Sequence, residues 1–152
     1  MSRFDIQEHF PAMQPLFALS KSLRGSSLEA PLRELVLMRV SQINGCAYCL
    51  DMHSKDARAA GEAEQRLCLL PAWRETSLYS ERECAALAWA EALTVLNGHD
   101  TVSDALYEQT SAHFSEDELV KLTLLVTLIN SWNRINMAAR TKAGGYQPGM
   151  YR

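Results

Sequence analysis

The stretch that decides the fold is "NGCAYCLDMHSKDARAAG", Asn44–Gly61. Cys46 and Cys49 stand three residues apart, and His53 follows four residues after Cys49. The helical spacing of the run after the Asn-Gly pair, and the glycine that closes it, predict a helix. On that helix the three side chains lie near one face, with Cys46 in the first turn.

This cysteine–histidine pattern combines a nucleophile, a second thiol within disulfide reach and a base. A helix N-terminus favours an anion, and a thiolate is such an anion. These electrostatics alone favour Cys46 as the more acidic thiol, whereas His53 stands one turn beyond Cys49 and can accept its proton. We predict that Cys49 is the nucleophile, because His53 can remove its proton and later return a proton to the leaving group.

One carboxylate interrupts the apolar segment "LRELVLM", residues 32–38. If the Asn44-Gly45 break folds two helices into a hairpin, Glu34 lies beside the cysteine pair. A partly buried carboxylate can carry a proton near neutrality, which suits a relay. The alternative is a glutamate at the edge of an apolar stripe.

The rest of the chain predicts helices and no strands. Ser26 or Ser27 is a candidate N-cap for the second helix, and "SERE" and "SEDE" are capping boxes that begin at Ser80 and Ser115. We expect one all-α domain over residues 1–152, a bundle of about seven helices. The expected helices span residues 8–22, 29–43, 46–61, 63–70, 80 to about 96, Asp100 or Thr101 onward, and 115 to about 130, with 132–140 as a last helix or a bent extension.

The composition of the chain indicates its compartment and excludes some classes of partner. The chain has 152 residues, is 47% hydrophobic and carries a net charge of −3. Its basic residues do not cluster, which argues against nucleic acid, and the N-terminus lacks a signal-peptide pattern. The longest apolar stretch, Leu122–Ile129, is too short to cross a bilayer. We expect a cytosolic protein with no membrane or nucleic-acid partner, where a CxxC is more often catalytic or metal-binding than structural.

The segment "ELVLMRVSQINGCAYCLDMHSKDARAAGE", Glu34–Glu62, resembles the signature of the AhpD-like alkylhydroperoxidases, a branch of the carboxymuconolactone decarboxylase family. "SERECAALAWAEALT" and "SEDELVKLTLLVTLINSWNRIN" resemble further family segments, so the likeness runs from about residue 28 to residue 140. The signature is a glutamate, then CxxCxxxH and a glycine, met here by Glu34, Cys46, Cys49, His53 and Gly61.

The resemblance implies an all-α fold that assembles into trimers or hexamers and reduces hydroperoxides without a cofactor. Cys49 is then the peroxidatic residue, Cys46 the resolving one, and Glu34 and His53 form a proton relay. The implied reductant is a lipoyl-bearing or thioredoxin-like dithiol protein. The founding members have a histidine where this sequence has Tyr48, and tyrosine, with a pKa near ~10, is a poor base at neutral pH. We therefore expect an altered relay.

Two other functions fit the same motif. One is a dithiol–disulfide oxidoreductase or redox sensor without significant peroxidase activity. The other is a zinc-stabilised interaction protein that uses the two cysteines, His53 and Glu34 as ligands. No second ligand pair supports zinc, because Cys68 and Cys84 are widely separated and are expected to be small core residues.

The segment "NSWNRIN", residues 130–136, crowds polar groups among apolar ones. Asn133 and Arg134 fit a solvated helix face. They equally fit a segment that lies against another subunit or lines a pocket, where buried amides and an arginine need partners.

Overall fold

The computed structural model describes residues 2–151 and contains within them seven α-helices, one 3-10 helix and no strand, which confirms the all-α class. None of these helices is long and apolar enough to cross a membrane. The helices are α1 (Phe10–Arg24), α2 (Ala30–Asn44), α3 (Ala47–Ala59), α4 (Glu64–Leu69), the 3-10 helix (Leu70–Glu75), α5 (Glu81–Thr94), α6 (Asp104–Ser111) and α7 (Glu116–Ala139).

Both predicted capping boxes are confirmed. At the start of α5, Ser80 Oγ accepts the Glu83 backbone N–H at 3.2 Å, and the Glu83 carboxylate accepts the Ser80 backbone N–H at 2.8 Å. Ser115 and Glu118 repeat the exchange at the start of α7. These reciprocal bonds satisfy N–H groups that a helix leaves free, so the sequence alone located both helix starts.

The predicted start of α6 is wrong. The helix begins at Asp104, and Ser103 is the N-cap, with its Oγ accepting the Leu106 N–H at 3.3 Å. Asp100 adopts a left-handed φ of 65°, a conformation that a right-handed helix cannot continue. The expected start at Asp100 or Thr101 therefore falls within a turn that precedes the helix.

The serines before α2 do not cap it either. Its N-cap is Glu29, which makes no side-chain cap bond, and a proline in the first turn suits the helix start instead. Ser26 Oγ donates to the Leu23 carbonyl at the end of α1. Ser26 thus satisfies the helix that precedes it, and Ser27 Oγ accepts a hydrogen bond from Lys121 Nζ at 3.4 Å.

Helix α7 runs unbroken to Ala139, so the predicted end near residue 130 is wrong, and of the two alternatives for residues 132–140 the segment extends α7 and is not a separate last helix. Its polar segment does not interrupt it, and the asparagine side chains bond to groups on neighbouring helices and to carbonyls one turn back. The helix ends at Arg140, which is left-handed with a φ of 54°.

Helix α2 is the centre of the packing, in contact with α3, α5 and α7. Val36 and Val40 belong to the larger hydrophobic core, shared with α5 and α7. Leu35 and Met38 belong to a second core, which includes Trp73 of the 3-10 helix. Helix α2 is thus packed between two hydrophobic cores, and this packing holds the backbone that carries Glu34.

The ion pair between Glu118 and Arg82 gives a testable prediction about stability. Arg82 Nη2 lies 2.6 Å from Glu118 Oε1, and this contact with the Ser115 N–H bond lowers the pKa of Glu118 to about 2. Glu118→Gln keeps an acceptor for the cap but loses the charge. At pH 7 we expect it to lower the free energy of unfolding by about 0.5–1 kcal/mol.

The sign of the pH dependence follows from the lowered pKa. In the unfolded chain the pKa of Glu118 is about 4.3, and above this pH the ion pair stabilises the folded state in full. This stabilisation is lost as the pH falls toward the pKa of Glu118 in the folded state, about 2. Urea unfolding at pH 7 and pH 3 should show the gap between wild type and Glu118→Gln shrinking. Glu116→Gln is the matched control in the same turn. A gap equal at both pH values would contradict the assignment.

Candidate active site

The chain reverses between α2 and α3 at Gly45. Gly45 ends α2 with a left-handed φ of 71°, and the following Cys46 N–H bonds to the Ser41 carbonyl at 3.0 Å. Glycine adopts this conformation without the steric penalty of a Cβ. The predicted helix hairpin therefore forms, with the cysteine pair at its turn.

The two cysteines occupy the first positions of α3. Cys46 is the N-cap, one position before the first turn where it was predicted, and its Sγ accepts the Cys49 backbone N–H at 3.4 Å. The sulfurs are joined in a disulfide, with the Cα atoms 5.4 Å apart. The disulfide reach expected from the spacing is therefore confirmed, and the structure represents the oxidised form.

Glu34 and His53 meet across the hairpin. His53 Nδ1 lies 3.0 Å from Glu34 Oε2, and His53 is only 8% exposed. Glu34 is thus a partner of the histidine, and not only a residue at the edge of an apolar stripe. A carboxylate at this nitrogen fixes the ring orientation and leaves the other ring nitrogen free to exchange a proton.

A cavity of about 830 Å³ opens beside this pair. Of the two cysteines only Cys49 lines it, together with His53, Glu34 and Tyr48. The remaining wall includes apolar side chains of α1, α2 and α7 and residues of the N-terminal and C-terminal segments. A substrate in the cavity therefore meets Cys49, while Cys46 lies behind it in the core.

Tyr48 lines the cavity with its hydroxyl 2.8 Å from the Tyr151 hydroxyl. Burial and this hydrogen bond raise the pKa of Tyr48 above its ordinary value. Tyr48 therefore keeps its proton at neutral pH and can pass a hydrogen bond without acting as a base. The C-terminal segment, which the sequence presented only as irregular, thus supplies a residue to the cavity wall.

Asn136 is the site residue that the motif did not reveal. Its Nδ2 lies 3.7 Å from Cys49 Sγ and 3.0 Å from the Trp132 carbonyl, which fixes the amide orientation because a carbonyl only accepts. Its Oδ1 is buried, and no residue of the described chain donates to it. The polar crowding in "NSWNRIN" was the one signal, and pocket lining, one of the roles proposed for it, is confirmed at Asn136.

Other members of that segment fasten α7 to the hairpin turn. Asn44 Nδ2 donates to Asn130 Oδ1 and Asn133 Oδ1, each at 2.9 Å. Asn133 is fully buried and donates to Ser41 Oγ at 3.0 Å, whereas Arg134 is exposed and bonds to Asn130. Asn133 therefore lies on a buried face, and its role is to hold the turn that carries the cysteines.

The remaining cysteines stand outside the site. Cys68 is exposed, which makes the core expectation wrong, because its neighbour Leu67 faces the core and turns Cys68 outward on α4. Cys84 is half-buried against the second core. Within residues 2–151, no three His, Cys, Asp or Glu side chains converge as a metal-binding group.

These features define an all-α protein with a CxxC disulfide at the start of a helix and a histidine–carboxylate pair beside it. Residues 11–92 match the Carboxymuconolactone decarboxylase family. The chain belongs to this family and to its AhpD-like members.

Three relatives place the chain within the family. It is 44% identical to the uncharacterized protein YdfG of Bacillus subtilis over 131 residues, which cover 86% of this chain and 88% of YdfG. It is 35% identical to the uncharacterized protein YnjA of Escherichia coli, over 79% of this chain and 65% of that longer protein. A crystal structure from Agrobacterium tumefaciens, of a protein of unknown function offered as an antioxidant defence protein AhpD, superposes with a TM-score of 0.89 at 37% identity, over 96% of this chain and all of that one.

The Asn136 contact predicts a trade-off between reactivity and stability. In reduced protein on a Cys46→Ser background, Asn136→Leu should slow iodoacetamide alkylation of Cys49 about fivefold, since an N–H donor to sulfur is worth about 1 kcal/mol. The same change removes a buried carbonyl without a partner, so thermal stability should stay equal or rise. Mass spectrometry of the Cys49 peptide gives the rate, and Met137→Leu is the control. Alkylation at the parent rate would contradict the contact.

Proposed function

We propose that this protein is a thiol-dependent peroxidase that reduces hydroperoxides through a Cys49–Cys46 dithiol–disulfide cycle. One observation carries the proposal: Cys49 alone of the pair lines the cavity, and His53 and Glu34 line it beside Cys49. A nucleophile, its base and a resolving thiol thus meet where a substrate can enter. The family membership and the AhpD-like neighbour support the same chemistry.

In the first step the Cys49 thiolate attacks the distal oxygen of the hydroperoxide. The O–O bond breaks, Cys49 becomes a sulfenic acid, and the alkoxide leaves as an alcohol once it receives a proton. His53 stands one helical turn from Cys49, so it takes the thiol proton and returns it to the alkoxide. Glu34 holds the imidazole by the 3.0 Å contact and balances its charge when it is protonated.

In the second step the Cys46 thiol condenses with the sulfenic acid. The S–S bond of the disulfide forms and water leaves. An external dithiol then reduces the disulfide by exchange and is itself oxidised. Because Cys49 faces the cavity, we expect it to receive the external thiol. A lipoyl-bearing or thioredoxin-like protein is the expected reductant, and a reducing compartment such as the cytosol would supply it.

Assembly belongs to the same proposal. We expect a homo-oligomer, a trimer or a hexamer. Several large apolar side chains of α7 are exposed in the single chain, including Val120, Leu124 and Met137. Sedimentation velocity measures the mass of the assembly directly.

A second candidate function is a dithiol–disulfide oxidoreductase or redox sensor that uses the same pair. The observation that favours it is Tyr48, which stays protonated and bonds to Tyr151 where the founding peroxidases have a histidine. In that case the pair cycles with a dithiol but reacts with peroxide no faster than an ordinary thiol. The two functions therefore differ in one measurable rate.

Cysteine variants test the peroxidase cycle. With a hydroperoxide and a dithiol reductant, Cys49→Ser should lose peroxide consumption by at least about a hundredfold, because the nucleophile is gone. Cys46→Ser should form a Cys49 sulfenate that dimedone traps and that excess peroxide over-oxidises. Cys84→Ser, a free cysteine outside the cavity, is the control.

Two outcomes decide between the functions. Peroxide consumption by Cys49→Ser at the wild-type rate would contradict the assigned nucleophile. Wild-type protein that exchanges disulfides rapidly but consumes peroxide no faster than free cysteine would establish the oxidoreductase.

A further inference from the structure

We infer that the cavity beside Cys49 takes an amphipathic hydroperoxide, with a long apolar body and a carboxylate head of the fatty-acid kind. This substrate class deepens the proposed peroxidase function and rests on it. The observations that carry it are the size and apolar lining of the cavity and two arginines in its wall that form no ion pair with any described residue.

The cavity is far larger than a small peroxide requires. Hydrogen peroxide needs little more room than a water molecule, whose share of liquid volume is about 30 Å³. The volume of about 830 Å³ falls instead in the range of sites that enclose whole organic ligands. Its apolar wall includes Phe17, Leu37, Met52, Leu125 and Trp132. An apolar body gains free energy by leaving water for such a wall.

The carboxylates in the wall already have hydrogen-bond donors. Glu34 is bonded to His53 at 3.0 Å, and Asp5 accepts the Gln7 backbone N–H at 2.8 Å. Asp56 accepts the Tyr146 hydroxyl at 2.8 Å. These bonds stabilise the negative charges within the protein, so the wall does not need a cationic substrate to balance them.

The arginines in the wall differ from these carboxylates. Arg24 and Arg33 line the cavity, and neither forms an ion pair within residues 2–151. Arg33 is half-buried and donates one bond to the Leu28 carbonyl. Five other arginines of the described chain form ion pairs, and two of these, Arg66 and Arg82, each contact two carboxylates. An arginine guanidinium that lines a ligand cavity and has no carboxylate partner among the described residues can bind a carboxylate of the ligand.

The electrostatics at Arg33 favour an anion. Burial and repulsion from Arg24 lower the pKa of Arg33, and attraction to Glu34 and Glu29 raises it. The net effect is a lowered pKa. A carboxylate bound by these two arginines balances their positive charge and so offsets the repulsion between them. The arginines come from the end of α1 and the start of α2, whereas Cys49 comes from α3, so one elongated molecule can present its head to the arginines and its peroxide to the sulfur.

The chemistry of the step is unchanged by the head group. The Cys49 thiolate, the hydroperoxide and one proton give the Cys49 sulfenic acid and the hydroxy acid, and the carboxylate is neither formed nor consumed. The arginines therefore act on binding. Their effect should appear in the second-order rate constant for acidic substrates and not for neutral ones.

The test compares linoleic acid hydroperoxide with its methyl ester, below the concentration at which either aggregates. In reduced wild-type protein, we expect the acid to oxidise Cys49 about tenfold faster than the ester, measured by quenched-flow mass spectrometry. Arg33→Gln and Arg24→Gln should each slow the acid several-fold and leave the ester unchanged. Arg58→Gln, on the outer surface of α3 and paired with Glu64, should change neither rate. Equal rates for acid and ester in wild type would overturn the inference.

A binding measurement separates this inference from the proposed function. Cys49→Ser protein is titrated with linoleate and with methyl linoleate, which carry no peroxide, and tryptophan fluorescence reports occupation of the cavity beside Trp132. Tighter binding of linoleate that Arg33→Gln abolishes supports the site even if no hydroperoxide reacts. Binding that ignores the carboxylate and Arg33 overturns it even if peroxidase activity is found.

Discussion

The left-handed turn at Gly45 is the constraint on which the site depends. Its φ of 71° ends α2 and lets Cys46 become the N-cap of α3. A Cβ at this position would meet no atom within 4 Å, so a side chain there carries mainly the conformational cost of the left-handed region, about 1–2 kcal/mol. The hairpin that follows brings Glu34 to His53. The amide of Asn44, at the same turn, bonds the hairpin to α7.

Around this turn the protein combines a well-packed frame with one buried polar atom, Asn136 Oδ1, that has no hydrogen-bond donor in the described chain. The frame consists of α2, buried against two hydrophobic cores, and of asparagine side chains that form hydrogen bonds with one another and with Ser41. Asn136 is different, since its Nδ2 bonds to a backbone carbonyl and the Cys49 sulfur, while its buried Oδ1 has no hydrogen-bond donor among residues 2–151. An unsatisfied carbonyl beside the reactive sulfur is the pattern expected where reactivity is favoured at the expense of stability.

Much of the site followed from local sequence signals, because they act over one or two helical turns. The capping boxes located the starts of α5 and α7, and the CxxCxxxH spacing with Glu34 predicted the hairpin and its disulfide. What depends on distant contacts was missed. Asn136 lies 87 positions from Cys49 and Tyr151 lies 103 from Tyr48, and no local pattern encodes either pairing. The exposure of Cys68 likewise depends on packing, because Leu67, the residue before it, occupies the second core.

We propose that the Glu34–His53 pair sets the reactivity of Cys49. The most direct measurement is the single-turnover rate at which fully reduced protein forms the Cys49 sulfenate, compared between wild type and Glu34→Gln with one hydroperoxide at neutral pH. We expect the variant, folded and able to form the disulfide, to react at least about tenfold more slowly, because its histidine has lost the carboxylate that orients it. A Glu34→Gln rate equal to that of wild type would contradict it.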